Sequence, residues 1–135
     1  MVEPKKILIA EDEKEIVELL ESVLKRRGFE VMVAFDGEEA KAKITEFSPH
    51  IVILDLAMPK VDGWEVLKWL REDKKSNIPA IVISGKNQMN DIKKTYDLDA
   101  DYYIVKPIRI NDLIKGISTI WALKGQQDGS SDSFE

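Results

Sequence analysis

Ile51-Val52-Ile53-Leu54-Asp55-Leu56-Ala57-Met58-Pro59-Lys60-Val61-Asp62-Gly63 is the stretch on which the fold turns. Its first four residues are apolar and three of them are β-branched, the pattern of a strand buried on both faces in the middle of a parallel sheet. The strand ends on a carboxylate. Met58-Pro59 and Asp62-Gly63 then punctuate a turn, which puts Asp55 at the carboxyl end of the strand, where open α/β sheets bind their ligands.

Outward from this stretch the same alternation repeats. On the N-terminal side, Lys5-Lys6-Ile7-Leu8-Ile9-Ala10 reads as a strand followed at once by Glu11-Asp12-Glu13, and Ile16, Val17, Leu19, Leu20, Val23 and Leu24 recur at helical spacing up to a basic last turn and Gly28. Phe29 to Ala34 alternates as a second strand. Asp36 offers an N-cap to a second helix that runs to about Phe47, where Ser48-Pro49 breaks it, and its acidic first turn is read as a helix-dipole effect alone. On the C-terminal side, Val66, Leu67, Trp69 and Leu70 mark a third helix, Pro79 to Ser84 a fourth strand, Met89 to Leu98 a weakly periodic fourth helix, and Tyr102 to Val105 a fifth strand cut off by Lys106-Pro107. Asn111 is expected to cap a last helix carrying Leu113, Ile114, Ile117, Ile120 and Trp121.

Five strands alternating with helices imply right-handed crossovers and a parallel sheet covered on both faces. The expected fold is α/β, a doubly wound five-stranded parallel sheet of order 2-1-3-4-5, a flavodoxin-like three-layer sandwich. That order sets the first and third strands side by side, so Glu11, Asp12 and Asp55 converge on one crevice.

A chain of 135 residues fits one domain, expected over 1–125, with the polar run 126–135 as a disordered end or linker stub. With 44% hydrophobic and 33% charged residues and a net charge of -5, the chain reads as globular and is a poor candidate for direct binding to nucleic acid or a membrane surface. It has no cysteine, which removes disulfides, thiolate metal sites and cysteine nucleophiles. The four apolar residues after the first lysines are too few for a signal peptide or spanning helix, so a cytoplasmic location is expected.

Three carboxylates in one crevice raise one another's pKa unless a cation neutralises them. An oxygen-only set suits Mg²⁺, since His50, the one histidine, lies at the far end of the third strand. Ser84 and Lys106 reach the same edge from the fourth and fifth strands. Acid, hydroxyl, ammonium and metal together favour phosphoryl chemistry, with one carboxylate as nucleophile.

These features, in this order on these strand ends, resemble the receiver domain of two-component response regulators, over residues 5 to about 124. The resemblance implies that Asp55 accepts a phosphoryl group from a phosphohistidine on a histidine kinase or phosphotransfer protein. It implies Mg²⁺ held by Asp12, Asp55 and the Ala57 carbonyl, with Glu11 acting through a water. Lys106 and Ser84 would read the phosphoryl group, and Tyr103 would be the aromatic switch. The chain is then a phosphoacceptor signalling protein rather than an enzyme acting on other substrates, a single-domain regulator of the chemotaxis type. It would have no DNA-binding domain of its own and would be a monomer or a phosphorylation-dependent dimer controlling an effector protein through the surface of its fourth and fifth units. Departures from the family pattern are Asp99 at a frequent glycine position, Gly85 at a frequent alanine, and Ala57 and Lys86 at positions that tune phosphoaspartate hydrolysis.

Other readings are a metal-dependent phosphatase with an aspartyl nucleophile, or a receiver-shaped interaction module that takes no phosphate. The first is disfavoured because haloacid-dehalogenase-like enzymes usually carry a second aspartate where this chain has Ala57, and the second by the intact acid set. A flavin module is weaker still, since no Ser/Thr/Gly-rich loop follows the first strand. Taken singly, most of these residues have plainer roles: Glu11-Asp12 as helix caps, Ser84 as a turn residue, Tyr103, Trp64, Trp69 and Trp121 as packing, and His50 as a loop end.

Overall fold

Period-two alternation on strands with no polar face forces each strand to feed two cores, and the sheet does so with isoleucines on one face and leucine, valine and alanine on the other. A computed structural model describes residues 5–85 and 97–123. Strands β1 (Lys6–Ala10), β2 (Glu30–Ala34), β3 (Ile51–Asp55), β4 (Ala80–Ser84) and β5 (Tyr102–Val105) form one parallel sheet of order β2-β1-β3-β4-β5. On one face lie Ile7, Ile9, Ile51, Ile53, Ile81, Ile83 and Ile104, covered by α1 (Lys14–Arg26) and the last helix, labelled α4 (Ile110–Leu123). On the other lie Leu8, Ala10, Val52, Leu54, Ala80 and Val82, covered by α2 (Gly37–Phe47) and α3 (Gly63–Lys68). β3 and β4 are buried along their whole length.

The helix boundaries follow from local chemistry. α1 closes at Gly28, whose φ of 96° needs a residue without a β-carbon. The Asp36 carboxylate caps α2 by accepting from the Glu39 N–H at 2.8 Å, and the Asp62 carboxylate caps α3 by accepting from the Glu65 N–H at 2.9 Å. The acidic first turn of α2 does more than complement the dipole, because the Glu39 carboxylate also accepts from the Phe35 N–H at 2.6 Å and pairs with Lys43. α3 runs on into a wide π turn over Trp69–Asp73, with the Lys74 N–H donated to the Trp69 carbonyl.

The cap expected at Asn111 is revised. α4 begins at Ile110, one residue before Asn111, and the Arg109 carbonyl accepts its first bond from the Leu113 N–H, so Asn111 lies within the first turn and is not the cap. Asp99, at a position where the family often has glycine, takes the left-handed conformation itself, with φ 58°. The helix expected over Met89 to Leu98, apart from its end, Lys86 and the tail 126–135 lie outside the described residues. No helix among the described residues is long and apolar enough to cross a membrane.

Candidate functional site

Parallel pairing fixes which strand ends meet. Ala10 is in register with Leu54 and Asp55 with Ile83, so Glu11 follows β1 beside Asp55 at the end of β3, and Ser84 ends β4 next door. The loop after β3 reverses at Lys60, φ 67°, and returns so closely that the Gly63 N–H donates to the Leu56 carbonyl at 3.1 Å. β5 delivers Lys106 through a backbone bond from its N–H to the Ser84 carbonyl, ahead of a cis bond to Pro107.

At this edge Glu11 and Asp55 are buried, 0% and 1% exposed, while Asp12 is exposed. Asp55 Oδ1 accepts from the Ala57 N–H at 3.0 Å, and Oδ2 accepts from Lys106 Nζ at 3.0 Å. Lys106 also meets Glu11 Oε1 at 3.5 Å and Glu13 Oε1 at 2.7 Å. Burial pulls the Lys106 ammonium down, but hydrogen bonds to Glu13 and Asp55 and the charges of Asp55 and Glu11 outweigh it and hold the group well above lysine's usual range. Burial, reinforced by Asp55, pushes the Glu11 carboxyl up to about 8 although the Glu13 N–H favours its charged form.

The donor set fits a divalent cation on its own geometry. One carboxylate oxygen each from Glu11, Asp12 and Asp55 lie within 4.8 Å of one another, and buried Glu11 Oε1 accepts no hydrogen bond. Buried carboxylate oxygens without a donor are costly, and an oxygen-only crevice suits Mg²⁺. His50 is no ligand here. It stands at the opposite end of β3, where Nδ1 accepts from the Lys5 and Lys6 N–H groups at 3.0 and 3.1 Å and the ring lies edge-on to Trp121.

Of the expected site residues, Glu11, Asp12, Asp55, Ala57 and Lys106 come together, and Ser84 ends the adjoining strand, 1% exposed. Tyr103 is half-buried on the face that carries α2 and α3, packed, like Leu98 and Ala100, against the core of that face. Trp64 and Trp69 are likewise packing residues, each beneath lysine side chains. Two residues went unnoticed in the sequence. Glu13 makes the shortest contact to Lys106, for which the acid run Glu11-Asp12-Glu13 is the one available hint. Arg71, which reads simply as the basic end of a helix, donates to the carbonyls of Ser76, Ile78, Leu98 and Asp99 and to the Asp101 carboxylate.

The response regulator receiver domain model matches residues 7–118. The chain is 40% identical over 116 residues to the alkaline phosphatase synthesis transcriptional regulatory protein PhoP of Bacillus subtilis (strain 168), an alignment covering 84% of this chain and 48% of that protein. It thus spans about half the length of that curated relative. Among solved structures, it is similar to a response regulator receiver domain protein from Clostridium thermocellum at 27% identity and a TM-score of 0.82, covering 90% of this chain and 97% of the other. It is also similar to the receiver domain of AraT, a response regulator from Geobacillus stearothermophilus, at 29% identity and a TM-score of 0.81, covering 91% and 97%.

Proposed function

This chain belongs to the family of response regulator receiver domains, and from that premise we propose that it is a phosphorylation-controlled switch whose phosphoacceptor is Asp55. The observation that carries this reading is the Lys106 ammonium lying 3.0 Å from Asp55 Oδ2 at the end of a buried strand, where Glu11 and Asp12 converge on the same carboxylate. The donor is a phosphohistidine on a histidine kinase or phosphotransfer protein. An Asp55 oxygen forms the new P–O bond as the P–N bond breaks, and the imidazole leaves with the electron pair and is free to take up a proton.

Each neighbour has a part that its position supports. The Ala57 N–H orients Asp55 through Oδ1. Lys106 offsets charge on the arriving phosphoryl oxygens, and the Ser84 hydroxyl gives one of them a donor. Glu11, Asp12, Asp55 and the Ala57 carbonyl would hold Mg²⁺. When bound, this ion supplies positive charge that lets a dianionic phosphoryl group enter an acidic crevice. Addition of the group brings roughly one further negative charge and strong acceptor oxygens, which draw Ser84 and Lys106 inward. Tyr103, on β5 three residues before Lys106, carries that shift to the surface facing an effector protein. A cytoplasmic location goes with such a role.

Intact-mass measurement after incubation with acetyl phosphate and Mg²⁺ tests the assignment. Wild type gains one phosphoryl group and Asp55→Asn gains none. Equal labelling of the variant refutes Asp55 as acceptor, and sustained turnover of a small phosphate ester would favour the phosphatase reading instead.

A further inference from the structure

The Lys106 ammonium has three N–H donors and three carboxylates around it. Its shortest contact, 2.7 Å, is to Glu13, whose side chain is 57% exposed, and its contacts to the buried Asp55 and Glu11 are longer at 3.0 and 3.5 Å. Glu13 occupies the N-cap position of α1, yet its side chain caps nothing. Its N–H is spent on Glu11 Oε2 at 2.9 Å, which fixes its backbone beside the crevice, and its carboxylate reaches a residue 93 positions away. Meanwhile Asp55 is 1% exposed beneath that ammonium.

We propose that Glu13 is a positioning residue that restrains phosphorylation by holding Lys106 in its resting place over Asp55. The role rests on the phosphoacceptor reading of Asp55. A phosphoryl group entering the crevice needs donors from Lys106, and the donor committed to Glu13 is released only when that contact breaks. An interaction made in the resting state and lost in the transition state raises the barrier by its own strength. Glu13 also presents negative charge to a dianionic phosphodonor, an effect that does not require Lys106. The two contributions separate in a double-mutant cycle.

The experiment measures the initial rate of phosphorylation by acetyl phosphate at fixed Mg²⁺ for wild type, Glu13→Gln, Lys106→Met and the double variant. An exposed ion pair of this kind corresponds to between about 1.4-fold and fivefold in rate. Glu13→Gln is expected to label faster by a factor in that range, and Glu13→Asp, with an arm one methylene shorter, to label faster than wild type although it keeps the charge. In the Lys106→Met background the acceleration shrinks to the part that the charge of Glu13 alone supplies. No acceleration, or an equal one without Lys106, overturns the role of Glu13. Where Lys106→Met labels too slowly to measure, equilibrium unfolding of the same four proteins decides: Glu13→Gln lowers stability only while Lys106 is present, and equal losses in both backgrounds overturn the pairing. Wild type that takes up no phosphoryl group refutes the phosphoacceptor reading itself, and wild type that labels on Asp55 with Glu13→Gln no faster refutes Glu13 alone.

Discussion

The backbone of Gly63 packs directly on the peptide carbonyl of Asp55, leaving no space for a β-carbon: one placed there would lie 2.8 Å from the Asp55 carbonyl carbon and 2.9 Å from Leu56 Cα. The return of the chain after β3 is thus built against the backbone of Asp55, the proposed phosphoacceptor, and the glycine of Asp62-Gly63 is demanded by close approach. Gly63→Ala is expected to cost about 1–3 kcal/mol, the range for overpacking a filled site. Because the strain falls on the backbone of Asp55 and Leu56, Mg²⁺ affinity should drop as well. Urea unfolding and a Mg²⁺ titration check both. A variant as stable as wild type with unchanged affinity would show that the loop relaxes freely.

Asp12 is the exposed member of three crowded carboxylates, and its neighbours Glu11 and Asp55 are buried. Without a cation, Asp12→Asn removes repulsion and little else, so the metal-free protein should gain up to about 1 kcal/mol and melt roughly 3 °C higher. Wild type should overtake it on adding Mg²⁺, since a ligand at a hundred times its Kd stabilises by about 2.7 kcal/mol. Melting curves with and without Mg²⁺ check the crossing, and parallel shifts of the two proteins would remove Asp12 from the metal site.

The strands and the site were legible for one reason. A strand buried on both faces admits a continuous apolar run, so Ile51 to Leu54 and Ile81 to Ile83 announce themselves, and a polar residue that ends such a run must lie at the sheet edge. Parallel order then brings Glu11, Asp55, Ser84 and Lys106 together without further information. Alternation cannot say which helices cover which face, so the gathering of seven isoleucines under α1 and α4 was not readable. The role of Arg71 was hidden because its partners are mostly backbone carbonyls, and a carbonyl leaves no mark in a sequence. The start of α4 was misplaced because Asn111 is a good cap by type, while the chain leaving Lys106-Pro107 turns helical two residues earlier than such a cap implies.

Arg71 ties the end of the π turn to the segment entering β5. Its guanidinium, 8% exposed, reaches the Leu98 carbonyl at 3.0 Å and the Asp99 carbonyl at 2.8 Å, and Asp101 accepts both from it and from the Ala80 N–H at 2.8 Å. Arg71→Met strands these acceptors and removes the guanidinium from Asp101, which should cost about 3–5 kcal/mol. Arg71→Lys should rescue little, since an ammonium cannot span carbonyls on both sides of a planar fork. Equilibrium unfolding gives the totals, and hydrogen exchange at the Asp101 N–H, bonded to the Ala80 carbonyl, reports whether the loss is local. Recovery to within about 1 kcal/mol in the lysine variant would mean that charge alone sufficed.

His50 joins the starts of β1 and β3 in a form that must be neutral, because Nδ1 accepts from two backbone N–H groups. Burial, and then the charges of Lys6 and Lys5, lower its pKa below the usual 6.5. Above 6.5 the imidazole is neutral in both folded and unfolded chains and its contribution is complete. As pH falls through 6.5 the unfolded chain takes up the proton first, so stability declines until the lower folded value is passed. Glu11 works in the opposite sense, since its raised pKa draws stability away as pH climbs from 4.5 to about 8. The His50 share is therefore read as the difference between wild type and His50→Gln, followed by urea unfolding from pH 8 to pH 5. That difference should shrink as the pH drops below 6.5, because the variant has no imidazole to protonate. A difference that stays constant over the whole range would show that the backbone bonds at Nδ1 survive protonation and that the neutral ring is not what holds the two strands together.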